Sequence, residues 1–246
     1  MKTLITIEAR MRSTRLPGKV LMPVLGRPLL ALMIERLQRV WQADEIVVAT
    51  TTNVADDPIV NLARQLGVGW FRGSEEDVLD RVLKAAQLAK ADVLVELTGD
   101  CPLIDPAVVD QIIATFYSNQ VDYCSNTLQR TYPRGMDTQV FPVSVLAEVA
   151  TLTQDPADHE HVSLYIYEHP ERYRLLNVAS GLQAAIARLR LTVDTAEDFQ
   201  LVRHIYEILY PSKPDFGLVD IIKLFEHRSD LFLINQHILQ KQVRPI

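Results

Sequence analysis

Leu4-Ile5-Thr6-Ile7-Glu8-Ala9-Arg10-Met11-Arg12-Ser13-Thr14-Arg15-Leu16-Pro17-Gly18-Lys19 opens the chain with a short apolar run that gives way to a basic loop. The run at 4–7 is rich in β-branched residues and reads as a buried strand. Pro17-Gly18 makes the segment behind it a turn rather than a helix. Working outward, runs of the same kind recur at 46–49, 68–71, 93–97 and 121–123. Between them Leu29, Met33, Leu37 and Val40 fall at helical spacing, as do Val78, Val82, Ala85 and Leu88. Asp57-Pro58 and Asp105-Pro106 place an N-cap acid before a proline, and Ser74 with Asp77 resembles a capping box. This alternation predicts an α/β fold, a mostly parallel Rossmann-like sheet with helices on both faces. Ligands of such sheets lie beyond the carboxyl ends of the strands, here residues 9–19, 72–74 and 98–102.

The rhythm breaks over 125–180, which holds Tyr132-Pro133-Arg134-Gly135 and the polar stretch 154–161. This segment reads as an insertion. Order returns with a predicted strand at 188–193 and a helix at 195–209 capped by Thr195 and Asp198. Two more helices, near 218–225 and 231–239, are expected on the flank. The expectation is a single domain over 1–246, with a ligand-binding half (1–124), the insertion (125–180) and a returning part (181–246).

Composition narrows the class. The 246 residues are 48% apolar and 23% charged, as in ordinary globular proteins. No apolar run approaches the roughly 18–20 residues that span a bilayer, and the first residues lack the pattern of a signal peptide. Only Cys101 and Cys124 are present, which suits a reducing compartment. A cytoplasmic protein with no membrane partner is therefore expected. The net charge of −6 argues against nucleic-acid binding. Its distribution says more: the first 27 residues hold six of the 25 basic side chains and one of the 31 acids. A cationic loop on an acidic chain points to a small anionic ligand.

Three arginines and a lysine within residues 10–19 can neutralise most of a triphosphate, the arginines by forked bonds and Lys19 as a point charge. Ser13, Thr14 and backbone amides add neutral donors. A solvated basic loop is the plainer alternative, and placement at the end of the first strand disfavours it. The loop is no Walker motif, because Ser13 takes the first glycine position and Val20 follows Lys19. In Thr98-Gly99-Asp100-Cys101-Pro102-Leu103 an aspartate follows a buried strand, and Asp194 stands in a similar place after 188–193. Singly, each is more commonly a cap or turn residue. As a pair beside phosphates they suit Mg²⁺, which takes one or two carboxylates plus phosphate oxygens and water. Arg72, Ser74 and Arg81 either face a base or ribose or belong to a surface loop and capped helix. His159 and His161 lie two apart and share no helix face, which argues against zinc. Cys101, beside an acid, reads as packing.

These motifs together resemble the cytidylyltransferases that activate acidic sugars, the makers of CMP-acylneuraminate and CMP-ketodeoxyoctonate. They are most similar to the branch named after spore coat polysaccharide biosynthesis protein F. The resemblance rests on Ala9-Arg10 with residues 13–19, on Phe71-Arg72-Gly73-Ser74 with residues 77–81, and on residues 98–106. Tyr132-Pro133-Arg134-Gly135, His161 with Tyr165-Ile166-Tyr167, and residues 191–199 extend it. It implies a GT-A-like nucleotidyltransferase fold, a CTP-dependent reaction in polysaccharide biosynthesis, and commonly a homodimer. Carried over by position, Ala9, Arg10, Ser13, Thr14, Arg15, Lys19, Arg72, Ser74, Arg81 and Asp100 would bind nucleotide. Lys19, Arg15 and Asp100 would act in catalysis, with Asp100 and Asp194 as Mg²⁺ ligands. Arg134, Asp137, His161 and Tyr165 would bind a small sugar-like acceptor, inside the insertion.

Four positions depart from that branch: Glu8 stands where glutamine is usual, Arg12 for glycine, Glu96 for arginine and Gln139 for glutamate. Strands one and four should be neighbours, so Arg12 is expected to pair with Glu8 or Glu96. The rival readings are a GT-A glycosyltransferase using a sugar nucleotide and a non-catalytic nucleotide-binding homologue.

Overall fold

The computed structural model describes residues 1–241. In chain order its strands are β1 (Thr3–Glu8), β2 (Pro23–Val24), β3 (Arg27–Pro28), β4 (Glu45–Thr51), β5 (Gly69–Gly73), β6 (Val93–Thr98), β7 (Tyr123–Ser125), β8 (Gln139–Pro142) and β9 (Leu175–Asn177). The helices are α1 (Leu29–Leu37), α2 (Asp57–Gln65), α3 (Val78–Leu88), α4 (Pro106–Tyr117), α5 (Val143–Leu152), α6 (Pro156–Glu160), α7 (Leu164–Glu168), α8 (Ala184–Ala187), α9 (Ala196–Leu209) and α10 (Leu218–His227). Strands β2 and β3 form a separate small hairpin. The other strands make one seven-stranded sheet in the order β5-β4-β1-β6-β8-β7-β9.

Strand β1 is central and buried on both of its faces, the mark of a strand covered on two sides. It pairs in parallel with β4 and β6, Ile5 lying opposite Ile46 and Val95. Ile5 and Ile7 enter one core with residues of α1, α4, α9 and α10, while Leu4 enters a second core with residues of α3 and α5. Two helical layers thus enclose a mostly parallel sheet, as the alternation of runs predicts.

Other elements differ from their sequence reading. The segment read as an insertion is woven into the sheet: β8 runs antiparallel between β6 and β7. The strand expected at 188–193 is an extended segment with a single bridge, Arg134 to Arg190. Its hydrogen bonds go to a turn and a strand end instead of a neighbouring strand. The Arg134 amide donates to Leu189, the Leu191 amide to Arg134, and the Val193 amide to Asp100. Residues 231–239 form no α-helix; a 3-10 helix spans Ser229–Ile234. Ser74 does not cap α3 directly. Its hydroxyl accepts from the Glu76 and Asp77 amides, and the Asp77 side chain then caps the helix by accepting from Asp80. Asp57 is the first residue of α2 and not its cap.

The capping box expected at α9 is present and does more than start a helix. Asp198, fully buried, accepts from the Asp194 and Thr195 amides, from Arg190 Nε and from Asn235 Nδ2. Removing its carboxylate would leave the Arg190 guanidinium buried with less compensation, a change that typically costs 3–5 kcal/mol. Asp198→Ala should therefore lower the unfolding free energy by about 3–5 kcal/mol. Urea unfolding with an unchanged m-value checks this; a loss below about 1 kcal/mol would contradict it.

Candidate active site

The basic loop closes on itself where Pro17-Gly18 turns. Gly18 has φ 73°, in the left-handed region, and its amide donates to Met11 at 2.8 Å. This turn carries Lys19 back over the carboxyl ends of β1 and β6. On the other side Gly99 permits a close approach: a Cβ there would lie 2.8 Å from the Glu8 carbonyl. Asp100 is thereby drawn against the loop, and Thr98 Oγ1 donates to its Oδ1 at 2.5 Å.

Lys19 Nζ donates to Asp194 Oδ1 at 2.8 Å and lies 3.6 Å from Asp100 Oδ2. Arg15 Nη2 reaches the same Asp194 oxygen at 3.0 Å, and Arg190 Nη2 donates to Asp194 Oδ2 at 2.7 Å. Burial alone would raise the Asp194 carboxyl, but Lys19, Arg15 and Arg190 overcome it and hold the group below its ordinary value. Arg10 and Arg12 flank Glu75 at 3.8 and 4.0 Å. Arg12 is thus drawn to the acid ahead of α3, and its expected pairing with Glu8 or Glu96 is replaced.

These groups open onto a cleft of about 730 Å³. Ala9, Arg10, Ser13, Thr14, Arg15, Lys19, Arg81, Asp100 and Asp194 line it, as do Arg134, Asp137 and His161. Three expected residues do not. Arg72 is spent on structure, donating to Asp57 and to the Thr51 and Asn53 carbonyls, which ties β5 to the start of α2. Ser74 is turned to the amides ahead of α3. Tyr165 stacks on His169 with ring centroids 3.9 Å apart, and Tyr167 lines the cleft in its stead.

The sequence reading missed several residues. Arg190 stands four residues before Asp194, a spacing that is visible but carries no helical meaning in an extended segment, and Asp198, read only as a cap, also holds Arg190. Arg130 lines the cleft and grips Asp137 with two bonds of 2.6 and 2.8 Å. Gln139 and Ser163 are joined at 2.7 Å on the cleft wall. Cys101 is buried, and burial with the neighbouring Asp100 pushes its thiol well up, in keeping with a packing role.

The cleft floor holds two carboxyls. Glu8 and Glu96 project from one face of adjacent strands and are in hydrogen-bonding contact, which requires a proton between them. Burial pushes Glu8 up to about 7 against the pull of Arg81. Burial, then the charge of Glu8, pushes Glu96 well above the usual carboxylate range. Among the described residues no group of three or more His, Cys, Asp or Glu is arranged to hold a metal, so any ion here would need ligands from a bound molecule.

In overall form the chain is similar to a cytidylyltransferase from Leptospira borgpetersenii serovar Hardjo-bovis, with 34% identity and a TM-score of 0.90 over 98% of this chain and 100% of that one. It also resembles a CMP:2-keto-3-deoxy-manno-octonic acid synthetase solved in complex with CTP. There the identity is 21% and the TM-score 0.62, over 84% of this chain and 99% of that one. The fold is that of a GT-A-like nucleotidyltransferase. The spore coat polysaccharide biosynthesis protein SpsF of Bacillus subtilis strain 168 is 34% identical over 92% of this chain and 95% of its own length. A family model described as cytidylyltransferase matches residues 4–242, and the chain belongs to that family of nucleotidyltransferase enzymes. Among the described residues no helix is long and apolar enough to cross a membrane.

A carboxyl whose folded-state value is raised favours the folded protein while protonated and is a penalty once ionised. The wild type should therefore lose stability between pH 4.5, the ordinary value, and about 7, the raised value of Glu8. Glu96→Gln removes the carboxyl whose ionisation is opposed by burial and by the charge of Glu8. Its stability relative to wild type should rise from pH 5 to pH 8 by on the order of 2 kcal/mol. Denaturation curves that stay parallel across that range would contradict the shared proton.

Proposed function

We propose that the chain transfers a cytidylyl group from CTP to a hydroxyl of a sugar acid, with release of pyrophosphate. The observation that carries this reading is Lys19 held between Asp100 and Asp194, inside a loop that brings Arg10 and Arg15 to the same cleft. A sugar-nucleotide donor, with two phosphates, calls for less cationic charge than this loop supplies. The CTP of the similar synthetase structure and the family match support cytosine as the base.

In the proposed reaction the acceptor oxygen attacks the α-phosphorus in line, and the bond to pyrophosphate breaks. Such transfer depends on positioning and on neutralising charge. Arg15 and Lys19 would grip phosphate oxygens, and the buried Arg190 would keep Asp194 oriented while they do. Asp100 and Asp194 are within reach of one ammonium, and this two-carboxylate donor set fits Mg²⁺ completed by phosphate oxygens and water. Bound there, Mg²⁺ would neutralise phosphate charge and favour ionisation of the attacking hydroxyl. Arg134 and His161 also line the cleft and would meet the acceptor, Arg134 taking its carboxylate.

A pyrophosphate-release assay crossing the four nucleoside triphosphates with a panel of sugar acids tests the proposal. Signal is expected with CTP and at least one sugar acid, and chelation by EDTA should abolish it. Lys19→Ala and Asp100→Asn should each reduce turnover about a hundredfold, the scale of one lost transition-state contact. Near-normal rates in both variants would overturn these roles, and consumption of a sugar nucleotide without pyrophosphate would overturn the reaction.

A further inference from the structure

The last described residues return to the cleft. Asn235, 3% exposed, donates its Nδ2 to the Arg190 carbonyl at 3.0 Å and to Asp198 Oδ1 at 2.8 Å. A turn follows, the Ile238 amide donating to the Asn235 carbonyl. Gln240 then accepts from Arg190 Nη1 on its Oε1 at 2.5 Å, so one short segment holds Arg190 by both its main chain and its guanidinium. Apolar burial gives little reason for this path. Leu239 is 86% exposed, while the next two residues, Gln240 and Lys241, line the cleft. Gln240 also lines a second hollow of about 360 Å³ with Arg134 and Arg190, and so stands between two open spaces. Arg15 and Lys19 are matched by Asp194, whereas Lys241 pairs with no acid among the described residues.

We propose that residues 235–241 form a strap completing the active site, in which Lys241 supplies a further cation to the triphosphate and Gln240 is the positioning residue that latches the strap to Arg190. The proposal rests on the cytidylyl reading and deepens it. Arg190 lies directly against Asp194, the acid on which Arg15 and Lys19 converge. A segment latched to Arg190 therefore arrives at the same side of the cleft as the basic loop. Arg15 and Lys19 would exchange part of their hold on Asp194 for phosphate, whereas Lys241 brings a charge not yet committed to any acid. Its ammonium is a compact charge on a flexible stem, and ordering that stem costs entropy that a fixed backbone reduces. The Asn235 and Gln240 bonds supply the fixing, and the Gln240 bond is to a charged donor, the stronger kind.

Calorimetry of CTP binding tests the strap. Lys241→Ala should raise the Kd for CTP about tenfold, the low end for one charged hydrogen bond. Lys241→Arg, which keeps the charge, should stay within about threefold of the wild type. So should Lys223→Ala, which removes the same charge from the exposed surface of α10. Gln240→Ala should raise the Kd about threefold in the wild type but less than about twofold on top of Lys241→Ala, because it acts through that cation. Both side chains are exposed, so neither variant disturbs the core. The strap is overturned if Lys241→Ala binds CTP as the wild type does, if Lys223→Ala weakens binding equally, or if the Gln240 and Lys241 effects simply multiply. Should the wild type fail to bind CTP, the cytidylyl reading falls, and inorganic pyrophosphate titrated into the same proteins decides the strap by the same comparisons. Absence of pyrophosphate binding as well would overturn both.

Discussion

One buried carboxylate organises the basic-loop end of the cleft. Asp198 takes the amides that begin α9, and with its remaining capacity it fixes the Arg190 guanidinium. Arg190 in turn occupies Asp194 Oδ2, which leaves Oδ1 for Lys19 and Arg15. A buried ion pair is weak evidence for stability, since desolvation offsets much of the attraction. Its use here is directional. The basic loop meets a carboxylate whose orientation is set from beneath by a helix start, so the site inherits the rigidity of the core.

The same logic explains how so many cations share one loop. Arg10 and Arg12 flank Glu75, and Arg15 and Lys19 flank Asp194. Without those acids the loop would splay by mutual repulsion. With them it is assembled before any anion arrives, which reduces the reorganisation that binding requires. The contacts of Arg10 and Arg12 to Glu75 are long, at 3.8 and 4.0 Å. Asp194 is different, because its three cations favour its ionised form against the burial that opposes it.

What was legible in the sequence follows from which physics is local. Strands apolar on both faces, Asp105-Pro106 and the Thr195–Asp198 box are written in residues near one another, and the parallel half of the sheet could be read from them. The cationic loop with Asp100 and Asp194 was legible because charge at strand ends has few structural uses. The antiparallel insertion of β8 was not, since no local period records which strand a segment will join. Residues 188–193 carry strand composition, but their partners are Arg134 and Asp100, distant in sequence. Choosing Arg81 over Arg72, or Tyr167 over Tyr165, depends on where neighbouring carbonyls and rings stand, and only the packed fold supplies those.

Glu8 and Glu96 show the limit from the other side. Once β1 and β6 are adjacent, even-numbered residues of both strands fall on one face, so Leu4 and Leu94 pack together and Glu8 and Glu96 must meet further along. A fold has no structural need for two carboxyls there; the neighbouring positions on that face are apolar or carry a hydroxyl. Burying them raises both against their ordinary ionisation. Strongly perturbed acids facing a cleft are more readily explained by what they receive than by what they hold in place. Arg81, itself buried, pulls Glu8 back toward ionisation against the burial that raises it.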